Sequence, residues 1–366
     1  MPRVVLLNPG PVNVTPKVRE ALLKEDLCHR EKEFADLLHS IRGKLVKVFA
    51  IEKDYTAVLI SGSGTAALEM AVSSCLSEGR SLLVIRNGVY GERIAKIADA
   101  YHLPSITVDT PWGEPPRLED IERALHDHPE IEVVAAVHHE TTTGLLNPLQ
   151  EIANLVQAHE KKFLVDAISS LAGDPLDFDR TAIDLCVGTA NKCLQGLPGV
   201  SFVLVKKSEI RRLEKIPPRN LYFNLVNHYR AHEKGDTLFT PAVQIHYALD
   251  AALDELAEET VAGRIQRYRD AAHNLRRGFR AMGLEFLIPE AHHSNTLTAL
   301  KLPEGMPYDH LHDRLKDRGF VIYAGQGGLG PAIFRIANMG DIRPEEFERF
   351  LESLKDCLAS SGKPTD

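Results

Sequence analysis

Two short apolar runs in this 366-residue chain end in groups able to do chemistry. In Phe163-Leu164-Val165-Asp166-Ala167-Ile168-Ser169-Ser170 the run stops at a carboxylate followed by small residues. In Asp184-Leu185-Cys186-Val187-Gly188-Thr189-Ala190-Asn191-Lys192 it stops at small residues and an amine. Taken singly, Asp166 reads as a helix N-cap and Lys192 as a solvated loop lysine, the usual fate of that residue type. As a pair one strand–connection–strand unit apart, they match a particular requirement. Pyridoxal 5′-phosphate (PLP) needs a lysine for its Schiff base and a carboxylate on its pyridinium nitrogen. The carboxylate keeps that nitrogen protonated, so the ring can accept electrons. The lysine serves as nucleophile only with a lowered pKa, which partial burial near a cationic ring supplies.

A third element fits an anion. Ser61-Gly62-Ser63-Gly64-Thr65 lies between the candidate strand Tyr55–Ile60 and a helical pattern from Thr65. Its glycines admit close backbone approach, and a helix N-terminus offers free N–H groups to a phosphate. The G-K-[ST] ending of a P-loop is absent, and a lone Gly-rich turn is a weak signal. Gly325-Gln326-Gly327-Gly328-Leu329-Gly330 has G-x-G-x-x-G spacing, but a strand pattern, Ile333-Phe334-Arg335-Ile336, follows where a dinucleotide site needs a helix. It reads as a loop between strands and a candidate flap. The pairs His138-His139 and His292-His293 lack a spaced third ligand, and neighbours on a strand face opposite ways, so no metal site is expected.

These groups need a frame. Candidate strands are Tyr55–Ile60, Ser81–Arg86, Ile131–Val137, Lys162–Val165, Ile183–Gly188 and Val200–Val205. Amphipathic stretches such as Thr65–Leu76, Gly91–Ala100 and Leu149–His159 lie between several of them. Strands alternating with helices imply βαβ units and a mostly parallel sheet, with ligands beyond the carboxyl ends of its strands. One long helical pattern covers about Ala242–Met282. The last third reads Thr296–Lys301, Tyr308–Asp317, Phe320–Tyr323 and Ile333–Ala337, a small α/β unit with an antiparallel sheet, closed by a helix over Pro344–Leu358. The expected division is an N-terminal segment 1–20, a large domain 21–255 and a small domain 256–366.

Composition narrows the class. Hydrophobic residues make up 44%, charged residues 26%, and the net charge is −8, as in ordinary globular proteins. With no basic tract, neither nucleic acid nor an anionic membrane is an expected partner. The five cysteines, Cys28, Cys75, Cys186, Cys193 and Cys357, form no C-x-x-C pair. With no signal-like or membrane-spanning stretch, a reduced cytoplasmic protein is expected.

Seven segments together resemble the class V group of fold-type I PLP enzymes, in the family's order and along nearly the whole chain. They are Asn8-Pro9-Gly10-Pro11, Ser61 to Glu69, Asn87-Gly88-Val89-Tyr90-Gly91-Glu92-Arg93, His139-Glu140-Thr141-Thr142-Thr143-Gly144, Val165 to Ser170, Ala190 to Gly199, and Phe334-Arg335-Ile336-Ala337-Asn338-Met339-Gly340. Within that group the chain most resembles the 2-aminoethylphosphonate:pyruvate aminotransferases. The resemblance implies a mostly parallel seven-stranded sheet in a large domain, a small C-terminal α/β domain, and a transaminase acting on a small amine and a keto acid. It implies Lys192 as Schiff-base lysine and proton shuttle, Asp166 on the pyridinium, and Tyr90 stacked on the ring. Ser63, Gly64 and Thr65 become the phosphate cup, and Thr141 a hydroxyl near the ring oxygen. Thr240 reaches the phosphate from a neighbouring subunit, hence a homodimer with shared active sites. Arg335 becomes the clamp for the substrate anion, its guanidinium fork taking phosphonate or carboxylate bidentately. The loop Asp26 to Glu31 departs from the family's pattern and borders the substrate, with His29 or Arg30 as phosphonate contacts. The rival readings are a PLP lyase on a related aminophosphonate and an alanine– or serine–glyoxylate aminotransferase.

Overall fold

The computed structural model describes residues 3–359; the outermost residues of the two terminal units expected above, 1–2 and 360–366, lie outside the described residues. Seven strands form the main sheet: β1 Tyr55–Gly62, β2 Ser81–Arg86, β3 Ser105–Asp109, β4 Ile131–Val137, β5 Lys162–Asp166, β6 Leu185–Thr189 and β7 Gly199–Lys206. Their order is β1-β7-β6-β5-β4-β2-β3. Only β7 runs antiparallel to its neighbours, β1 and β6; the remaining pairs are parallel. The central strands are apolar throughout because helices cover both faces. One face packs on Lys32–Val48, Leu149–Ala158 and Val243–Glu259. The other packs on Gly64–Ser74 and Val89–Ala100.

A three-stranded antiparallel sheet, with Ile333–Ala337 between Leu297–Lys301 and Tyr323–Ala324, makes the smaller unit. Helices Val261–Ala281, Tyr308–Asp317 and Pro344–Ala359 share its core with Val5 and Leu7. The N-terminal strand Val5–Leu6 therefore belongs here by packing, pairing in parallel with Phe320–Val321.

Three readings of the sequence are corrected. The strand Ser105–Asp109 was absent from the candidates; it is a half-exposed edge strand whose pattern lacks a continuous apolar run. The strand expected over Phe320–Tyr323 is two pieces, because the chain changes pairing partner at the buried Ile322. The single helix expected over 242–282 is two, Val243–Glu259 and Val261–Ala281. Thr260 breaks it with φ +68°, and its hydroxyl caps the second helix by accepting from Gly263 N–H at 3.1 Å. Among the described residues, no helix is long and apolar enough to cross a membrane.

Candidate active site

Parallel strands deliver their last residues to one edge, and Asp166 and Lys192 both arrive there. Asp166 ends β5, 3% exposed, hemmed in by β4 and β6. Its Oδ1 accepts from Ile168 N–H at 3.0 Å, and its Oδ2 has no partner among the described residues. Burial pushes this carboxyl up to about 6, against the pull of the Ile168 N–H, Arg93 and Lys192. A buried carboxylate oxygen left unpaired is costly, so its place is explained by a cationic ligand group at that atom. The pyridinium nitrogen of PLP is such a group.

Lys192 follows β6 in a turn that the rest of the chain holds from behind. Buried Arg264, on helix Val261–Ala281, donates to the carbonyls of Cys193 and Leu194 at 3.1 and 3.2 Å. Gln195 Nε2 donates to Tyr268 Oη on the same helix at 2.7 Å. In front, the Asn8–Pro11 loop covers the amine. A Cβ on Gly10, whose φ is +95°, would stand 2.7 Å from Lys192 Nζ. Glycine is required twice over there, by backbone and by space. Burial lowers the Lys192 amine to about 8; Arg335 and Arg93 push the same way, while Cys193 and Asp166 oppose. A lysine poised near neutrality is the nucleophile that PLP chemistry asks for.

The turn at Ser63 joins β1 to helix Gly64–Ser74. Ser201 Oγ donates to Ser63 O at 2.8 Å and so holds the turn. The Ser63 hydroxyl makes no cap bond and is exposed, and the first helical N–H groups have no acceptor within the helix. Gly64 is needed for proximity: a Cβ would lie 2.9 Å from Ile168 Cδ1, two residues past Asp166. The anion cup and the pyridinium carboxylate are thus neighbours. Tyr90 lies at the N-terminus of helix Val89–Ala100, where its N–H donates to Glu140 Oε2 at 3.1 Å. Glu140 is fully buried and also accepts from Gly91 N–H and Thr142 Oγ1. Burial raises its carboxyl to about 7. Arg93 caps the Tyr90 ring at 4.7 Å and donates to Thr65 Oγ1 at 3.2 Å. It tethers the aromatic to the phosphate cup and has no carboxylate partner among the described residues.

Arg335 sits on the central strand of the small sheet, 2% exposed. Its Nη1 donates to Thr141 O at 2.7 Å and Gln326 Oε1 at 3.1 Å, and its Nε to Ala324 O at 2.9 Å. Three of its five N–H groups are therefore taken by neutral protein oxygens. The expected bidentate fork is not open as it stands; Nη2 alone is free of protein partners. Among the described residues no carboxylate pairs with this guanidinium, and burial lowers its pKa. Thr141 is fully buried and its hydroxyl has no partner. His138 and His139 are buried and held neutral by it, down to about 4 and about 3.

The remaining candidates lie apart. Thr240 is exposed, on a segment whose Ala242 N–H donates to Ser61 Oγ at 2.9 Å. Arg30 is exposed, paired with Asp236 and donating to Thr237 O at 2.8 Å; His29 is half-buried beside it. Among the described residues, none of the three hydrogen-bonds or ion-pairs with Lys192, Asp166 or Arg335. Sequence reasoning gave no role to Gly10, Arg93, Glu140 or Arg264. The first three stood in quoted motifs; Arg264 carried no local signal.

Comparison with known proteins gives the family. The family model Aminotransferase class-V matches residues 17–344. A 2-aminoethylphosphonate–pyruvate transaminase of Vibrio cholerae serotype O1 is 38% identical over 360 residues, 97% of either chain. The solved alanine–glyoxylate aminotransferase of Nostoc sp. superposes with a TM-score of 0.91 at 28% identity, covering 98% of this chain and 96% of that one. The pyridoxamine–pyruvate aminotransferase of Mesorhizobium loti gives 0.91 at 29%, covering 99% and 93%. The chain belongs to the class V aminotransferases, with the fold-type I architecture and PLP as cofactor.

Proposed function

We propose that the protein moves the amino group of 2-aminoethylphosphonate to pyruvate, yielding phosphonoacetaldehyde and L-alanine. The observation that carries the reading is Arg335: a buried guanidinium with no carboxylate partner among the described residues, whose charge helps lower the Lys192 amine. Both substrates put an anion at one end and the reacting carbon at the other. The transaminase of Vibrio cholerae supports the choice of amine and keto acid.

The residues present fit PLP. Lys192 Nζ would hold it covalently, Asp166 Oδ2 would take its ring nitrogen, and Tyr90 would face its ring. Ser63, Gly64 and Thr65, backed by Arg93, would bind its phosphate, and the orphan Thr141 hydroxyl would meet its ring oxygen. The bound cofactor supplies an electron sink for the carbon that loses a proton. Lys192 Nζ, its amine lowered to about 8, would be the group that takes and returns the substrate's proton. Asp166 would stay ionised against the ring nitrogen. Arg335 fixes the substrate's anion so that the amine-bearing carbon meets Lys192. The Gly10 loop packs against the Lys192 side chain and holds the amine in place.

A homodimer with shared sites is part of this reading. The Arg30–Asp236 pair ties the loop of His29, the expected phosphonate contact, to the segment of Thr240, the expected cross-subunit group. Leu23, Leu221 and Tyr222 are exposed hydrophobics in the same parts of the chain. Free cysteines throughout suit a reducing compartment such as the cytoplasm. The decisive measurement is alanine release from 2-aminoethylphosphonate and pyruvate by purified holoenzyme. Ammonia without pyruvate would mean a lyase instead. Turnover with glyoxylate but not pyruvate would mean a glyoxylate aminotransferase.

A further inference from the structure

Gln326 is the residue of the Gly-rich loop that reaches Arg335. Arginine carries no acceptor, so the amide must present its oxygen to Nη1. Its Nε2, on the same carbon, is then left as a donor without a partner among the described residues. Arg335 Nη2 is also unpartnered, so the two open donors sit on two hydrogen-bonded side chains. Two glycines shape the loop that brings Gln326 there. A Cβ on Gly325 would stand 2.2 Å from Leu329 O, so the loop folds tightly on itself. Gly327, at φ +52°, lies against Trp112, whose Cη2 is 2.8 Å from where a Cβ would be. Trp112 is the only tryptophan in the chain. The next residue, Gly113, approaches Thr143, so this seat adjoins the turn that holds Thr141.

We propose that Gln326 is a substrate-binding residue: its Nε2 and Arg335 Nη2 together form the subsite for the substrate's oxyanion. The proposal rests on the aminoethylphosphonate reading. Because Nη1 and Nε of Arg335 are engaged by protein oxygens, the guanidinium alone gives the anion one nitrogen. Gln326 adds the second attachment point, and its Oε1 keeps Nη1 in place while the anion binds. The same pair serves a phosphonate oxygen pair or a carboxylate, as two successive substrates in one site require. The opposite role would make Gln326 a placeholder that an anion displaces to open the fork. The two roles differ in sign.

The test is a titration of holoenzyme with methylphosphonate, and separately with acetate, read by Trp112 emission and by the cofactor's absorbance band. In Gln326→Ala the dissociation constant for methylphosphonate should rise about tenfold or more, the loss of one hydrogen bond to a charged group. Gln326→Met keeps the side chain's bulk without the amide and should show the same loss. Unchanged or tighter binding in Gln326→Ala overturns the proposal, as does recovery in Gln326→Met, which would assign the residue to packing. Wild-type enzyme that binds acetate but not methylphosphonate instead overturns the phosphonate reading and the proposal with it.

Discussion

The site has two ends built in different ways. The cofactor end is assembled on strand termini of one sheet. Asp166 closes β5, with the ladder on both sides of it, and Lys192 follows β6. The anion end spans two sheets. Arg335 belongs to the small sheet, yet its Nη1 is anchored on Thr141 O of the large unit and on the Gln326 loop. A rigid end positions atoms for bond chemistry; an end spanning two units can adjust between a phosphonate and a carboxylate. Substitutions at the first should therefore lower kcat, and at the second should raise KM.

The largest effect tests the first half of that contrast. Lys192→Ala removes both the covalent anchor and the proton carrier, and kcat for alanine formation should fall by at least about 10⁴-fold, the upper range for a general acid–base group. Wild-type turnover in this variant would sink the assignment. Arg335→Ala tests the second half. Its kcat/KM should fall about a hundredfold or more for amine and keto acid alike, as for truncating a buried hydrogen-bonded charge. Single-turnover rates at saturating substrate should change far less. Arg335→Lys should recover only part of the loss, because an ammonium cannot keep Ala324, Thr141 and Gln326 while also meeting the anion. If instead kcat falls and KM does not, the two ends are not separate.

The same division decides what could be read from sequence. An apolar run stopping at Asp166, and another leading to Lys192, are local patterns that a buried strand end must show. The helix break at Thr260 was missed, because the apolar pattern runs on through it, although threonine is an N-cap residue. Strand Ser105–Asp109 was missed too, because an edge strand with one exposed side needs few apolar residues. Arg264 and Gln326 were beyond reach for another reason. Their roles depend on carbonyls and a guanidinium far along the chain, and no spacing encodes them. For Arg335 the residue type was visible, but not the oxygens that already hold its Nε and Nη1.

A smaller effect probes how the cofactor end is braced. Arg264 is 1% exposed, bonded to Cys193 O and Leu194 O and paired with Glu259. Arg264→Met leaves two buried carbonyls and part of a carboxylate without donors. It should destabilise the protein by about 3 kcal/mol, as for breaking a buried pair, measurable by denaturant midpoint. Loss of the brace should also weaken PLP retention on dialysis. Unchanged retention would show that the turn at Lys192 stands without help from the second helix.

The smallest effect is a pH dependence that isolates one atom. Asp166 in the folded apoprotein is raised to about 6 from an ordinary value of 3.8. The folded state then holds its proton more tightly than the unfolded chain. Its contribution to stability is full below about pH 4 and is lost as pH rises through about 6. A cationic ring nitrogen at Oδ2 removes that loss by pairing with the charged form. Asp174 and Glu140 are raised in the same direction, to about 6 and about 7, but neither is assigned to PLP, so most of their share cancels between apoprotein and holoprotein. Lys192, lowered to about 8, stays protonated in both folded apoprotein and unfolded chain between pH 4 and 7, so its share is constant there. The excess of holoprotein over apoprotein melting temperature should therefore widen between pH 4 and pH 7. Asp166→Asn should remove most of that widening, because its amide does not titrate. A pH slope equal in Asp166→Asn and wild type would detach the ring nitrogen from this carboxylate and leave Oδ2 unexplained.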